Sequence, residues 1–208
     1  MTPRQTPLYR LSALVSRPLL KLLFRYEVRG VENVPAGGFV LAAGHHSNFD
    51  PWPLGVAISD THFVRFMAKS ELFWPPLSFA MRGMGAFSVR RDRPDRVALA
   101  TARQLVREGD VIAMFPEGTR RSKGFLKQRK VDVRDGASRI ALGADVPLVP
   151  AAVAGTDRLA RRGPIRVLYG APVPVEDLVG LPRREAARIA TERLMERIYE
   201  LEEQLNSV

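Results

Sequence analysis

The chain has 208 residues, 46% hydrophobic and 26% charged, which allows one sizeable core and excludes both a disordered chain and a bundle of membrane spans. It has no cysteine, which excludes disulfides, thiol nucleophiles and thiolate metal sites and fits a reducing compartment. The net charge is +10, and residues 82–134 alone hold 14 Lys+Arg against 6 Asp+Glu, a net of +8, so one face or site is expected to meet a polyanion.

Residues 8–24 read as an amphipathic helix. Arg10, Arg17, Lys21 and Arg25 follow one face, Leu11, Leu14, Val15, Leu19, Leu22 and Leu23 cover the rest, and Pro18 is expected to kink or divide it. No run reaches the roughly 18–20 apolar residues of a membrane span. Nor does a small-residue cleavage site follow this segment, so it reads as neither signal peptide nor transmembrane helix. A basic helix with an apolar face suits a membrane interface, and it equally suits packing on the domain. We divide the chain on this basis into a membrane-associating helix, 1–25, and a domain, 26–208.

The segment YEVRGVENVP reads as a strand and turn, and GGFVLAAGHHSNFDP as a buried strand running into a loop. Asp50-Pro51 has the form of a helix N-cap followed by proline at the first helical position, opening the short helix PWPLGVAIS. HFVRFMA is a strand, SELFWPPLSFAMRGMG is helical in pieces broken at Pro75-Pro76, and GAFSVRR is a strand. Residues 94–108 form a helix stopped by Gly109, and DVIAMFPEGTR is a strand entering a loop. A basic, turn-rich stretch precedes a helix over 133–143, the strands VPLVPAAVAG and IRVLYG, and a final helix over 183–205 with a core-facing apolar stripe. Strands alternating with helices, without a composition break or repeat, predict one α/β domain with a mixed, largely parallel sheet flanked by helices. In such folds the loops after the strands collect ligands, which directs attention to GHHSNFD and FPEGTRR.

A histidine close to a carboxylate can form a base–orienter pair. The carboxylate takes one ring N–H and fixes the tautomer, and the other nitrogen receives a proton. His45 lies five residues before Asp50 and His46 four, and spacing does not choose between them. Asp50 as a simple cap, and a metal site from His45, His46, Asp50 and His62, are competing readings. Adjacent histidines suit one ion poorly, and we read no metal. No G-x-S-x-G elbow or glycine-rich phosphate loop is present, so direct attack by a substrate hydroxyl is preferred to a covalent enzyme intermediate. In the second loop Gly118 allows close backbone approach, Thr119 can donate a hydrogen bond, Arg120 can grip a phosphate with two bonds, and Glu117 can orient Arg120 or bind a hydroxyl.

The segments Gly44-His45-His46-Ser47-Asn48-Phe49-Asp50, Gly85 to Arg91, Phe115 to Arg120 and Val146 to Pro150 resemble, in order and separation, the four motifs of the glycerol-phosphate and lysophosphatidic acid acyltransferase family. The resemblance spans about residues 39–154 and rests chiefly on the first and third motifs. It implies His45 as general base and Asp50 as its partner, with Arg91, Glu117, Gly118 and Arg120 at the acceptor, where we also place the hydrogen-bonding Thr119, and Pro150 shaping the site. It implies acyl transfer from acyl-CoA or acyl carrier protein to lysophosphatidic acid, without a resident cofactor. The work would be done at an anionic membrane surface, on the cytoplasmic face of the cell membrane, by a peripheral or monotopic protein. Two departures stand out. Gly44 replaces an asparagine, and Asp135 precedes Gly136 where a basic residue is common. The second departure leaves another lysophospholipid or a lyso-aminolipid open as acceptor.

Three other readings compete. His46 to Asp50 also fits the His-x-x-x-Asp pattern of chloramphenicol acetyltransferases and peptide-condensation enzymes, which does not predict FPEGTR. Basic charge alone suggests a nucleic-acid binder, but no recognition motif accompanies it. A catalytically idle lipid-binding module leaves the His45/Asp50 pair without a purpose.

Overall fold

The structure, a computed structural model, describes residues 5–89, 96–118 and 133–207. Its centre is the strand Phe39–Ala43 (β2), apolar at every position and buried along its whole length, as a strand covered on both faces must be. Around it lie Glu27–Arg29 (β1), Val64–Lys69 (β3), Ala86–Val89 (β4), Val111–Met114 (β5), Leu148–Ala154 (β6) and Arg166–Tyr169 (β7). They form one sheet in the order β1-β7-β6-β2-β5-β3-β4. Among the described residues only the β6–β7 pairing is antiparallel. The mixed, largely parallel sheet expected from the alternation of elements is therefore present.

Alternation along β2 sorts the core. Val40 and Ala42 face Arg96–Arg107 (α4), Gly136–Ala144 (α5) and Arg183–Asn206 (α6), where Ala102, Ile140, Ala190, Leu194 and Ile198 join them. Phe39, Leu41 and Ala43 point to the opposite face and pack with Leu54 and Ile58 at the short helix Pro51–Ala57 (α2). Within the first layer, the hydroxyls of Ser138 and Thr191 satisfy each other at 2.8 Å between α5 and α6. Two tyrosines anchor α2 from the second face. Tyr169 donates its hydroxyl to the Leu54 carbonyl at 2.6 Å, and Tyr26 donates to that of Pro53 at 2.5 Å.

The N-terminal helix is Pro7–Phe24 (α1), capped by the Thr6 hydroxyl on the Tyr9 N–H at 3.0 Å. Pro18 does not divide it. Tyr9 and Leu20 are its buried residues, and Leu20 packs on Val56 of α2 and on Ile165. Arg17 leaves the basic face expected for it, pairing with Asp60 at 2.5 Å and donating to the Val56 carbonyl at 3.2 Å. Other leucines of the helix, by contrast, point away from the domain: Leu14 is 72% and Leu22 82% exposed. At the other end of α1, the Thr6 hydroxyl donates to the Gly83 carbonyl of Leu77–Gly83 (α3), whose Phe79 is 81% exposed. Among the described residues no helix is long and apolar enough to cross a membrane.

Candidate active site

Three neighbouring parallel strands, β6, β2 and β5, end on one edge of the sheet. Beyond β2 comes the loop 44–50, beyond β5 the segment 115–118, and beyond β6 Gly155 and Thr156. Residues far apart in sequence are thereby delivered to one place.

Asp50 is the hub. It stands at the cap position of α2, but its backbone is already helical (φ −54°, ψ −40°) and its side chain caps nothing. The reason is local. Pro53 has no N–H to offer, and the Trp52 N–H already donates to the Phe49 carbonyl at 3.1 Å, so the first turn presents no donor for a capping carboxylate. The carboxylate turns back into the loop instead. Its Oδ2 accepts from His45 Nδ1 at 2.9 Å, the His46 N–H at 2.7 Å and the Ser47 N–H at 2.8 Å, and its Oδ1 accepts the Thr156 hydroxyl at 2.5 Å. Asp50 is wholly buried. Burial alone would push its carboxyl upward, but the bonds from His45, Ser47, Thr156 and His46 outweigh it and hold the group below its usual value. An ionised carboxylate only accepts, so His45 Nδ1 is the donor and the Nε2 lone pair is left for another proton.

The two histidines separate. His45 stacks on the Phe115 ring, centroids 4.2 Å apart and planes 22° from parallel, and lines the groove. His46 turns to α6, where its Nε2 meets Glu202 Oε1 at 3.1 Å. His62 is elsewhere, bonded to the Pro35 carbonyl at 3.0 Å and the Thr61 hydroxyl at 2.8 Å. Among the described residues no set of three or more His, Asp or Glu side chains converges as a metal site would require.

In the second loop Glu117 is buried, so this is no solvated turn. Gly118 takes φ +66° and donates to the Phe115 carbonyl at 3.0 Å, closing a tight turn suited to glycine. The Arg134 N–H donates to the Pro116 carbonyl at 2.8 Å, and the Arg134 side chain lies beside Gly118, in contact range of any Cβ placed there. Arg91, Thr119 and Arg120 lie outside the described residues. Asp135 is ion-paired with Arg139 at 2.8 Å, one turn along α5.

His45 opens on a groove of about 2640 Å³ among the described residues. Its lining includes the apolar Phe66, Met67, Met81, Met84, Leu99 and Met114. It also includes Arg134, Arg139, Arg184 and Arg188, of which Arg139 is paired with Asp135 and Arg188 with Glu192. Sequence reasoning missed Thr156, Glu202, and Phe115 and Arg134 as groove residues. Thr156 and Glu202 stand 106 and 156 residues from their partners and belong to no local pattern, whereas Phe115 sits in a motif already singled out.

The model of a family described as Acyltransferase matches residues 25–154 of this chain. The chain is 34% identical over 208 residues to the 1-acyl-sn-glycerol-3-phosphate acyltransferase of Bacillus subtilis, covering 97% of this chain and 100% of that one. It is 30% identical over 145 residues to the enzyme of the same name from Streptococcus pneumoniae, covering 67% of this chain and 52% of that one. Among solved structures it is similar to the 1-acyl-sn-glycerophosphate (LPA) acyltransferase of Thermotoga maritima, with a TM-score of 0.69 and 25% identity over 93% of this chain and 79% of that one.

Proposed function

The chain belongs to the acyltransferase family, and from that premise we propose that it is an enzyme moving a fatty acyl group from a thioester to the free hydroxyl of lysophosphatidic acid, giving phosphatidic acid. The observation that carries the reading is the buried Asp50 carboxylate fixing His45 on a groove lined by apolar side chains and by arginines. Similarity to the Bacillus subtilis enzyme along its whole length supports the choice of acceptor.

The chemistry assigned to these groups is a direct displacement. The acceptor hydroxyl gives its proton to His45 Nε2 as its oxygen attacks the thioester carbonyl. Asp50 stabilises the imidazolium through the Nδ1–H bond. The tetrahedral intermediate collapses, the C–S bond breaks, and the departing thiolate recovers the proton from His45. General-base assistance of this kind contributes about 10²–10⁴-fold, and holding the two substrates together contributes much of the rest. Acyl-CoA or acyl carrier protein is the donor, a co-substrate, and the step calls for no resident cofactor. The apolar lining residues suit an acyl chain. Arg91 and Arg120 from the sequence motifs, with Arg134 beside Gly118, suit the acceptor phosphate. Glu117 and Gly118 shape that end of the site, and the sequence motif assigns Thr119 to it.

The outward leucines of α1, flanked by Arg10, Lys21 and Arg25, support docking on an anionic membrane surface, peripherally or monotopically at the cytoplasmic face of the cell membrane. Trp74, before α3, and Phe79, within it, are exposed as well.

Offering the purified chain a panel of lysolipids with acyl-CoA and acyl carrier protein donors, and identifying products by mass spectrometry, tests the reading. Phosphatidic acid is the expected dominant product. Turnover only on another lysophospholipid or a lyso-aminolipid would replace the acceptor, and no turnover on any lipid would overturn the assignment.

A further inference from the structure

Gly44 and Glu202 occupy each other's space. Gly44 opens the histidine loop, and a Cβ built on it would overlap Glu202 Oε1 and come within 3.4 Å of His46 Nε2. Glu202 projects from the last turns of α6, and its side chain is 13% exposed. Its neighbours Leu201 and Leu205 are buried against Ala152 of β6, with Leu168 of β7 packed alongside, which fixes the helix at that point. From there the carboxylate reaches the end of β2 and meets His46 at 3.1 Å. The backbone N–H of the same His46 donates to Asp50 Oδ2 at 2.7 Å. A connected path therefore runs from α6 through Glu202 and His46 to the carboxylate that orients His45.

We infer that Glu202 is a positioning residue for the catalytic loop, and that it fills the place a side chain at position 44 would take. The inference rests on the proposed role of His45 and Asp50. Here the loop carries glycine, and the polar hold comes from a helix about 160 residues further along. Glu202 accepts a hydrogen bond from His46 Nε2–H. This fixes the side chain, and with it the peptide whose N–H completes the shell around Asp50. Small displacements of such a shell are costly, because a misplacement of about 1 Å is worth around 10²-fold in rate.

The test compares Glu202→Gln, Glu202→Ala, Gly44→Ala, the double variant and His45→Ala, reading thermal midpoint, kcat and KM for lysophosphatidic acid and acyl-CoA. Glu202→Ala is expected to lower kcat about tenfold with both KM values within about twofold, the mark of a lost transition-state arrangement rather than lost binding. Glu202→Gln keeps an acceptor oxygen and is expected to stay within about threefold of wild type. Gly44→Ala is expected to lose about 10²-fold in kcat, and adding Glu202→Ala should raise it again to the level of Glu202→Ala alone, a coupling of neighbours. Wild-type kcat in Glu202→Ala, a glutamine variant no better than alanine, or strictly multiplicative losses in the double variant would each overturn the inference. Should His45→Ala retain wild-type turnover, the reading of the site falls and the inference with it. An inactive His45→Ala beside an unimpaired Glu202→Ala defeats the inference alone.

Discussion

At residue scale the site depends on one carboxylate accepting four hydrogen bonds in a place that excludes water. Each donor both orients a loop and keeps Asp50 ionised. Thr156→Val preserves shape and removes one donor. Hydrogen bonds to charged groups contribute about 1.5–3 kcal/mol, so urea denaturation should show a loss in that range, with kcat reduced. The pH dependence has a defined sign. Asp50 is held below the usual carboxylate value of about 3.9, so its stabilising contribution is complete above that pH and disappears as pH falls through the folded-state value. The stability difference between wild type and Asp50→Asn should be largest near neutrality and shrink below about pH 4. A difference that grows on acidification would contradict the assigned charge.

At residue scale, too, the sequence was partly legible. The spacing placed a histidine and an aspartate together but left His45 and His46 equal, and only the motif resemblance separated them. Asp50 does stand at the cap position of α2, but its side chain makes no capping bond, for a reason present in the sequence: Pro53 at the third helical position removes a donor that a cap would use. Glu202 was not legible. It is one of five glutamates between residues 192 and 203 of an amphipathic helix, and nothing local distinguishes it.

At the scale of elements, β2 and α6 carry the site. Leu194 is fully buried in the layer between α6 and the sheet, and Leu194→Ala should cost about 2–5 kcal/mol in chemical denaturation. α1 behaves differently. Its periodicity announced an amphipathic helix but could not say which apolar side chains turn inward, because small residues such as Ala13 and Ser16 can pack as well as leucine can. The helix sets Tyr9 and Leu20 inward and leaves Leu11, Leu14, Val15 and Leu22 exposed. Fully burying a leucine is worth about 1.5–3 kcal/mol, so Leu14→Ser with Leu22→Ser should weaken binding to anionic vesicles by at least tenfold while leaving the thermal midpoint nearly unchanged. Vesicle binding equal to wild type would remove α1 from the membrane contact.

At the scale of the whole molecule, the fold class was readable because the chain alternates strands and helices. Strand order was not, because β2 pairs with β5 and β6, elements about 70 and 110 residues away, and the lone antiparallel pair β6–β7 follows from a short connection rather than a crossover. That order brings three loops to one sheet edge and gives the His45–Asp50 pair its fourth donor, its aromatic neighbour and its groove. The claim on which the rest depends is that this pair does the acyl transfer. Its most direct test is the turnover of purified, correctly folded His45→Ala with acyl-CoA and lysophosphatidic acid, beside wild type and His46→Ala. A loss of at least about 10²-fold in kcat for His45→Ala with an unchanged thermal midpoint, and a much smaller loss for His46→Ala, is the predicted result. Near-normal kcat in His45→Ala would contradict the account.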